Sequence, residues 1–168
     1  RRGFSLIELL IVVAIILIIA AIAIPSLLRA RIAANEAGVI GDTRSLIIAG
    51  ETFRSAAEGY AEAIACLASP AACAPAAGTV ALVDEQIASG DDKNGYARTY
   101  EPGEVLPNGH RATFCYGSRP LVAGRTGIRG FAGDYTAVLL GSATGVSGGV
   151  FAGSPPGTAR HQRRIHQL

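Results

Sequence analysis

The chain has 168 residues, a formal net charge of +2 and 49% hydrophobic residues, with no Trp and no Met. That length suits one domain plus an anchor, and the hydrophobic fraction stands at the high end of ordinary usage. Without Arg1, Arg2, Arg160, Arg163 and Arg164 the body holds 10 basic residues against 13 acidic ones, so composition gives no support for a nucleic-acid-binding body.

The chain opens on Arg1-Arg2-Gly3-Phe4-Ser5-Leu6-Ile7-Glu8-Leu9-Leu10, with an apolar run behind it. Glu8 is the only charge between Arg2 and Arg29, and Leu9 to Leu28 carries none, about the length that spans a bilayer as a helix. A carboxylate costs roughly 2.5–3.5 kcal/mol near the centre of such a helix and less near an end, and one kept there is a functional candidate by default. After a cut behind Gly3, Phe4 bears an α-amino group that is largely cationic near neutrality. Inside hydrocarbon an ammonium and a carboxylate each need a partner. A head-to-tail stack of identical helices offers Glu8 of one subunit to the Phe4 amine of the next. The plainer alternative is a glutamate that snorkels to the headgroups from the end of an ordinary anchor.

Gly3-Phe4-Ser5-Leu6-Ile7-Glu8-Leu9 resembles the N-terminal motif of type IV pilins and of the pseudopilins of type II secretion. The resemblance covers Gly3–Pro25, where the family's cleavage glycine, first mature Phe, fifth mature Glu and later proline fall on Gly3, Phe4, Glu8 and Pro25. It implies that a prepilin peptidase and N-methyltransferase cuts after Gly3 and methylates the Phe4 nitrogen. It also implies that Glu8, with Phe4 and Pro25, serves subunit assembly on an inner-membrane platform in a bacterium. The product is a homo-oligomeric helical filament, extracellular as a pilus or periplasmic as a pseudopilus. Two other readings of the start stay open: a secretory signal peptide ending at Ala21-Ile22-Ala23, and a twin-arginine signal at Arg1-Arg2. Against the first, the apolar run exceeds the usual 7–15 residues and Glu8 interrupts its beginning. The missing initiator Met implies a short leader, or part of one, ahead of Arg1.

Pro25 lacks an N–H and is expected to kink the helix or break it locally. Beyond it Ile32, Val39, Leu46, Phe53 and Tyr60 recur every seven residues, and Ile40 and Ile47 widen the stripe. Arg29, Arg31, Glu36, Asp42, Arg44, Glu51 and Glu58 fall mainly off it, which makes an amphipathic helix with one face for a core. Gly38, Gly41, Gly50 and Gly59 weaken that helix by about 1 kcal/mol each.

Residues 59–78 are rich in Ala, hold Pro70 and Pro75, and read as a helix end and loop. Behind a membrane anchor the soluble part lies where disulfides persist. Cys66 and Cys73 flank a small loop and are the expected pair; a bridge from Cys115 to either of them is the open alternative. Val80–Ala88 reads as a short helix or strand, and Gly90-Asp91-Asp92-Lys93-Asn94-Gly95 as a turn. Four strands are expected: Tyr96–Glu101, Arg111–Gly117, Ile128–Ala132 and Tyr135–Leu140, the last two joined by a hairpin at Gly133-Asp134. This order also resembles the pilin head, an antiparallel sheet laid on the C-terminal half of the long helix. After Gly141 the chain is rich in Gly, Ser and Pro and ends in a basic stretch, Arg160-His161-Gln162-Arg163-Arg164.

Little in the sequence signals catalysis or a cofactor. Asp91, Asp92 and Asn94 lack the alternating spacing and the distal Glu of a calcium loop and read as a polar turn. His110, His161 and His166 stand beside no nucleophile signature. The glycines of 145–149 precede no helix and so make no phosphate loop. The reading is an α+β chain: a leader remnant at 1–3, a membrane-spanning and assembly helix over 4–28 and its amphipathic half over 29–60. A connecting loop with the disulfide follows over 61–95, then an antiparallel sheet over 96–141 and a flexible tail over 142–168. It is read as a structural filament subunit, not an enzyme, without cofactor or metal, whose partners are its own copies, the peptidase, the platform and membrane lipid. The alternatives are a type II secretion pseudopilin, a minor pilin that binds DNA or a surface, and an anchored or secreted periplasmic binding domain.

Overall fold

A single helix, α1 (Leu6–Ala57), runs for 52 residues, about 80 Å at 1.5 Å per residue. The computed structural model describes residues 5–137 and 139–142. The second half of α1 carries the head. Its buried residues are Glu36, Val39, Thr43, Leu46, Ile47, Ala49, Gly50, Phe53 and Ala57, an alternation of three and four that keeps one face turned to the core. The seven-residue stripe is therefore half of the true inner face. Its other half passes through Glu36, Thr43 and Gly50, and Glu36 is a correction: it lies on the buried face at 6% exposure, not off it. Leu46 and Phe53 are fully enclosed, each such side chain contributing about 1.5–3 kcal/mol by burial.

Pro25 does not break the helix. Residues on both sides of it stay helical, because the proline forfeits one backbone bond while its neighbours keep theirs. The helix stops at Ala57, three residues short of the expected end at 60: Glu58 takes a left-handed conformation, φ 58°, and its N–H bonds the Arg54 carbonyl. Tyr60, expected on the helix, lies beyond it and is still buried, held to Arg111 by paired backbone bonds of 2.7 and 2.9 Å.

Between helix and sheet come three short helices, α2 (Ala65–Ala68), α3 (Pro70–Cys73) and α4 (Glu85–Ala88), with a 3-10 turn at Pro75–Ala77. Asp84 caps α4 by accepting the Ile87 N–H at 2.7 Å. Cys66 and Cys73 are joined, with Cα atoms 5.7 Å apart. Cys115 is a buried free thiol.

The sheet is an antiparallel meander, β1 (Tyr96–Pro102), β2 (Phe114–Pro120), β3 (Gly130–Asp134) and β4 (Leu139–Ser142), in chain order. The α+β expectation thus holds, with shifted strand boundaries. Lys93 and Tyr96 exchange two backbone bonds around Asn94 and Gly95, both at positive φ, which closes a two-residue hairpin turn. The second strand starts at Phe114, not Arg111, because Arg111 is already paired with Tyr60 and Val105. The last hairpin turns at Tyr135–Ala137 rather than at Gly133-Asp134. Gly133 is needed inside β3, where a Cβ would come 2.5 Å from Ile47 Cδ1. Asp134 closes the turn, its carboxylate accepting the Thr136 N–H at 2.9 Å. The tail expected over 142–168 lies outside the described residues from 143 onward.

Two clusters join helix to sheet. The larger gathers Leu46, Phe53, Tyr60, Leu67, Ile87, Phe114 and Tyr116; the smaller is Val39, Tyr96 and Phe131. Gly50 lets the Phe114 ring lie against the helix, since a Cβ there would meet the ring at 3.0 Å. A glycine that weakens the helix as a helix is what lets the sheet approach it.

Candidate functional site: the exposed half of the long helix

Among the described residues the first half of α1 has no partner. From Leu6 to Leu28 its large hydrophobic side chains, Leu6 at 81% and Ile22 at 74% among them, stand exposed on every side. No residue of its most apolar 18-residue window is buried, and the helix is long and apolar enough to cross a membrane. A helix that is apolar all round is stable only in lipid or among other helices. The charge-free stretch Leu9–Leu28 measures about 30 Å, the thickness of the hydrocarbon core.

Glu8 sits in the first turn of this helix, exposed, with its N–H on the Ser5 carbonyl at 3.1 Å. Ser5 occupies the cap position but makes no side-chain cap bond, although Ser5 and Glu8 have the spacing of a capping box. Among the described residues no cation lies within ion-pair distance of Glu8. A carboxylate in a helix's first turn gains from the positive end of the helix dipole, about 0.3–1 kcal/mol, and keeps its oxygens free for a partner outside the chain. Gly3 and Phe4, the expected cleavage and methylation residues, lie outside the described residues. Pro25 lies on the exposed half, one turn from Arg29, whose Nε reaches the Pro25 carbonyl at 3.4 Å.

Residues 1–24 match the family model described as the prokaryotic N-terminal methylation motif. The chain carries the prepilin-type motif of type IV pilins and pseudopilins. No curated protein and no solved structure matches it. The matched residues include most of the uncovered apolar half of α1, which begins at Leu6.

Where this helix enters the head, a second constellation appears. Glu36 Oε1 accepts the backbone N–H groups of Ile128 and Arg129 at 3.0 and 3.1 Å, and Oε2 accepts Arg129 Nε and Nη2 at 2.9 and 2.7 Å. Burial pushes the Glu36 carboxyl up, but the bonds from the Ile128 N–H, the Arg129 side chain and the Arg129 N–H outweigh it and hold the group below its ordinary value. Asn35 Nδ2 donates to the Thr126 carbonyl at 2.9 Å, and Lys93 pairs with Asp42 at 3.1 Å. These contacts clamp the head to the helix seven or more residues past the charge-free stretch. Sequence reasoning missed the clamp because Glu36 was read as a solvent-facing charge. The signal was available: stepping four residues from Ile32 and three back from Val39 both reach Glu36.

The other residues singled out in the sequence stand apart from this helix half. Glu62 Oε, Cys66 Sγ and Cys73 Sγ lie within 4.8 Å of one another, but sulfurs bonded to each other offer no thiolate to a metal. Burial, helped by the Glu101 and Asp134 charges, pushes the Cys115 thiol up to about 11, which keeps it protonated and unreactive. His110 packs edge-on against the Phe53 ring at 5.8 Å. Asn94 serves the hairpin turn, and the Asp91 carbonyl takes the Arg98 guanidinium at 2.7 Å. His161, His166 and the glycines of 145–149 lie outside the described residues.

Proposed function

We propose that this chain is the structural subunit of a type IV pilus-like filament. It is cut after Gly3 and methylated at Phe4, waits in the inner membrane with α1 across the bilayer, and polymerises through the exposed half of α1. The observation that carries this reading is a membrane-length, all-round apolar helix that has a single carboxylate in its first turn and lies mostly within the matched prepilin-type motif. In a filament the same helix surface moves from lipid to neighbouring copies of itself without ever meeting water. Glu8 of one subunit then meets the Phe4 amine of the next, and each charge is neutralised in the dry bundle. The peptidase, the assembly platform and membrane lipid are the partners this life cycle calls for. The chemistry belongs to the peptidase; the chain itself supplies a helix for assembly and a disulfide-closed head.

The mature N-terminus tests the processing half of this reading. Intact-mass spectrometry of the subunit purified from membranes should place the first residue at Phe4, heavier by one methyl group. Replacing Gly3 with a bulky residue should leave everything before Phe4 attached. A mature terminus at Ile24 or Pro25 would overturn the reading in favour of a signal peptide.

A further inference from the structure

The β2–β3 connection carries exposed apolar and basic side chains, of which only Arg129 has a part in the fold, through its pair with Glu36. Leu121, Val122 and Ile128 are 47%, 50% and 56% exposed, and Arg125 and Arg129 are exposed beside them. The connection is not a loose loop. The Thr126 N–H and hydroxyl both return to the Val122 carbonyl, at 2.9 and 3.1 Å, and the Gly124 N–H bonds the Gly127 carbonyl at 2.8 Å. Asn35 then ties Thr126, and Glu36 ties Ile128 and Arg129, to the helix. The side chains are therefore presented by a fixed frame.

Its place along α1 follows from the contacts. Thr126 meets Asn35, Arg129 meets Glu36, Phe131 packs with Val39, and Gly133 meets Ile47. Advancing along β3 means advancing along the helix, so the connection before β3 is the end of the head nearest Leu28. From Leu28 to Asn35 is about 10 Å of helix. The headgroup layer on one side of a bilayer is roughly 5–8 Å thick, from the difference between total and hydrocarbon thickness. An ordinary helix tilt of about 20° brings one side of the head down to it. Arg29 and Arg31 stand exposed on the helix between, so with Arg125 three arginines outside any ion pair among the described residues lie near this level. Of the acidic groups among the described residues nearest to it, Glu36 is taken by Arg129 and Asp42 by Lys93. Asp91 and Asp92 sit on the neighbouring 90–95 turn, where Gly95 accepts the Leu121 N–H at 2.9 Å and Asn94 lies against Gly38, about one helical turn beyond Asn35.

We propose that the β2–β3 connection is a membrane-docking element: while the subunit is inserted, Leu121, Val122 and Ile128 enter the headgroup layer, and Arg29, Arg31 and Arg125 bind anionic lipid headgroups. The occupant is a lipid surface rather than a second copy of the chain, because the patch combines apolar wedges with Arg29, Arg31 and Arg125, none of them in an ion pair among the described residues, and begins where the membrane-length helix ends. Docking holds the head at a set height and tilt above the bilayer, and extraction into a filament must break it. The proposal rests on the reading that α1 spans a membrane.

The chain has no Trp, so one introduced Trp reports its own surroundings. Full-length Val122→Trp, Ile48→Trp and Ile16→Trp subunits are reconstituted in vesicles of phosphatidylcholine alone or with phosphatidylglycerol, with brominated acyl chains as quencher. Ile48 is an exposed apolar residue of the head about 30 Å beyond Leu28. Expected are strong quenching at Ile16→Trp, quenching with a blue shift at Val122→Trp that is larger with phosphatidylglycerol, and none at Ile48→Trp. Arg125→Glu added to Val122→Trp should remove most of the phosphatidylglycerol advantage, since each charge near an anionic surface changes association roughly fivefold. Quenching at Ile16→Trp with none at Val122→Trp overturns the docking and leaves the spanning helix standing; no quenching at Ile16→Trp overturns both. Equal quenching in the two lipids overturns the anionic recognition. A blue shift without bromine quenching that grows with the protein-to-lipid ratio assigns the patch to a second copy and overturns the lipid assignment.

Discussion

Glu36→Gln isolates the clamp that fixes the head on the helix. The wild-type carboxylate accepts four hydrogen bonds, two from backbone N–H groups and two from one guanidinium. Gln keeps the shape and one acceptor oxygen, so Ile128 and Arg129 can retain their backbone bonds. Its NH2 then faces Arg129 Nε and Nη2, donor against donor. Two charge-assisted bonds are lost, each worth about 1.5–3 kcal/mol when shielded. Arg129 is 54% exposed and recovers part of this from water, which leaves a net cost of about 2 kcal/mol. For a head of this size that is a fall of roughly 10 °C in Tm, read by near-ultraviolet circular dichroism of the tyrosines in detergent. Arg129→Ala should cost less, because it leaves the carboxylate and both backbone N–H groups paired. The folded-state pKa of Glu36 is depressed below 4.5, so its stabilisation is present above that value and is lost as pH falls through the folded pKa. Wild type should therefore lose stability below about pH 4.5 more steeply than Glu36→Gln. An unchanged Tm and an unchanged acid limb would refute the clamp.

Gly133→Ala should destabilise by about 1–3 kcal/mol, the usual cost of overpacking, because its Cβ meets Ile47 and Thr43 at 2.5–3.1 Å; pairing it with Ile47→Val should recover part of the loss in a thermal melt. Replacing both Cys66 and Cys73 with Ala should cost about 2.5 kcal/mol by loop-closure entropy without changing the far-ultraviolet spectrum, and non-reducing peptide mapping of wild type should link these two and leave Cys115 alkylatable only after unfolding.

The long helix and its division were legible because both halves are written in side-chain chemistry: a charge-free stretch for lipid, then a periodic stripe for a core. The motif was legible because Gly3, Phe4 and Glu8 are single residues at fixed spacing. The Cys66 and Cys73 pairing followed from a short separating loop. What stayed hidden depends on the third dimension. Glu36 reads as a surface charge until the Ile128–Arg129 backbone, more than 90 residues away, is laid across it. Gly133 and Asp134 read as a turn, yet the helix presses on Gly133 and moves the turn three residues on. Pro25 reads as a kink or a local break; the break does not occur, because a helix of this length carries one missing bond without ending. Ile128 reads as the first residue of a strand, and the sequence does not single out Leu121 or Val122; the contacts of their connection are what place all three along α1.

The central claim is that the exposed half of α1 assembles the chain through Glu8, and the yield of sheared filaments from Glu8→Ala tests it most directly. Removing the carboxylate makes membrane insertion cheaper, by up to about 3 kcal/mol, and leaves the head, which among the described residues makes no side-chain hydrogen bond to the helix before Asn35, free to fold. The account predicts wild-type amounts of membrane-bound subunit, almost no filament from Glu8→Ala alone, and partial incorporation when it is co-expressed with wild type. Wild-type filament yield from Glu8→Ala as the sole subunit would contradict it and leave Glu8 as the snorkelling end of an anchor.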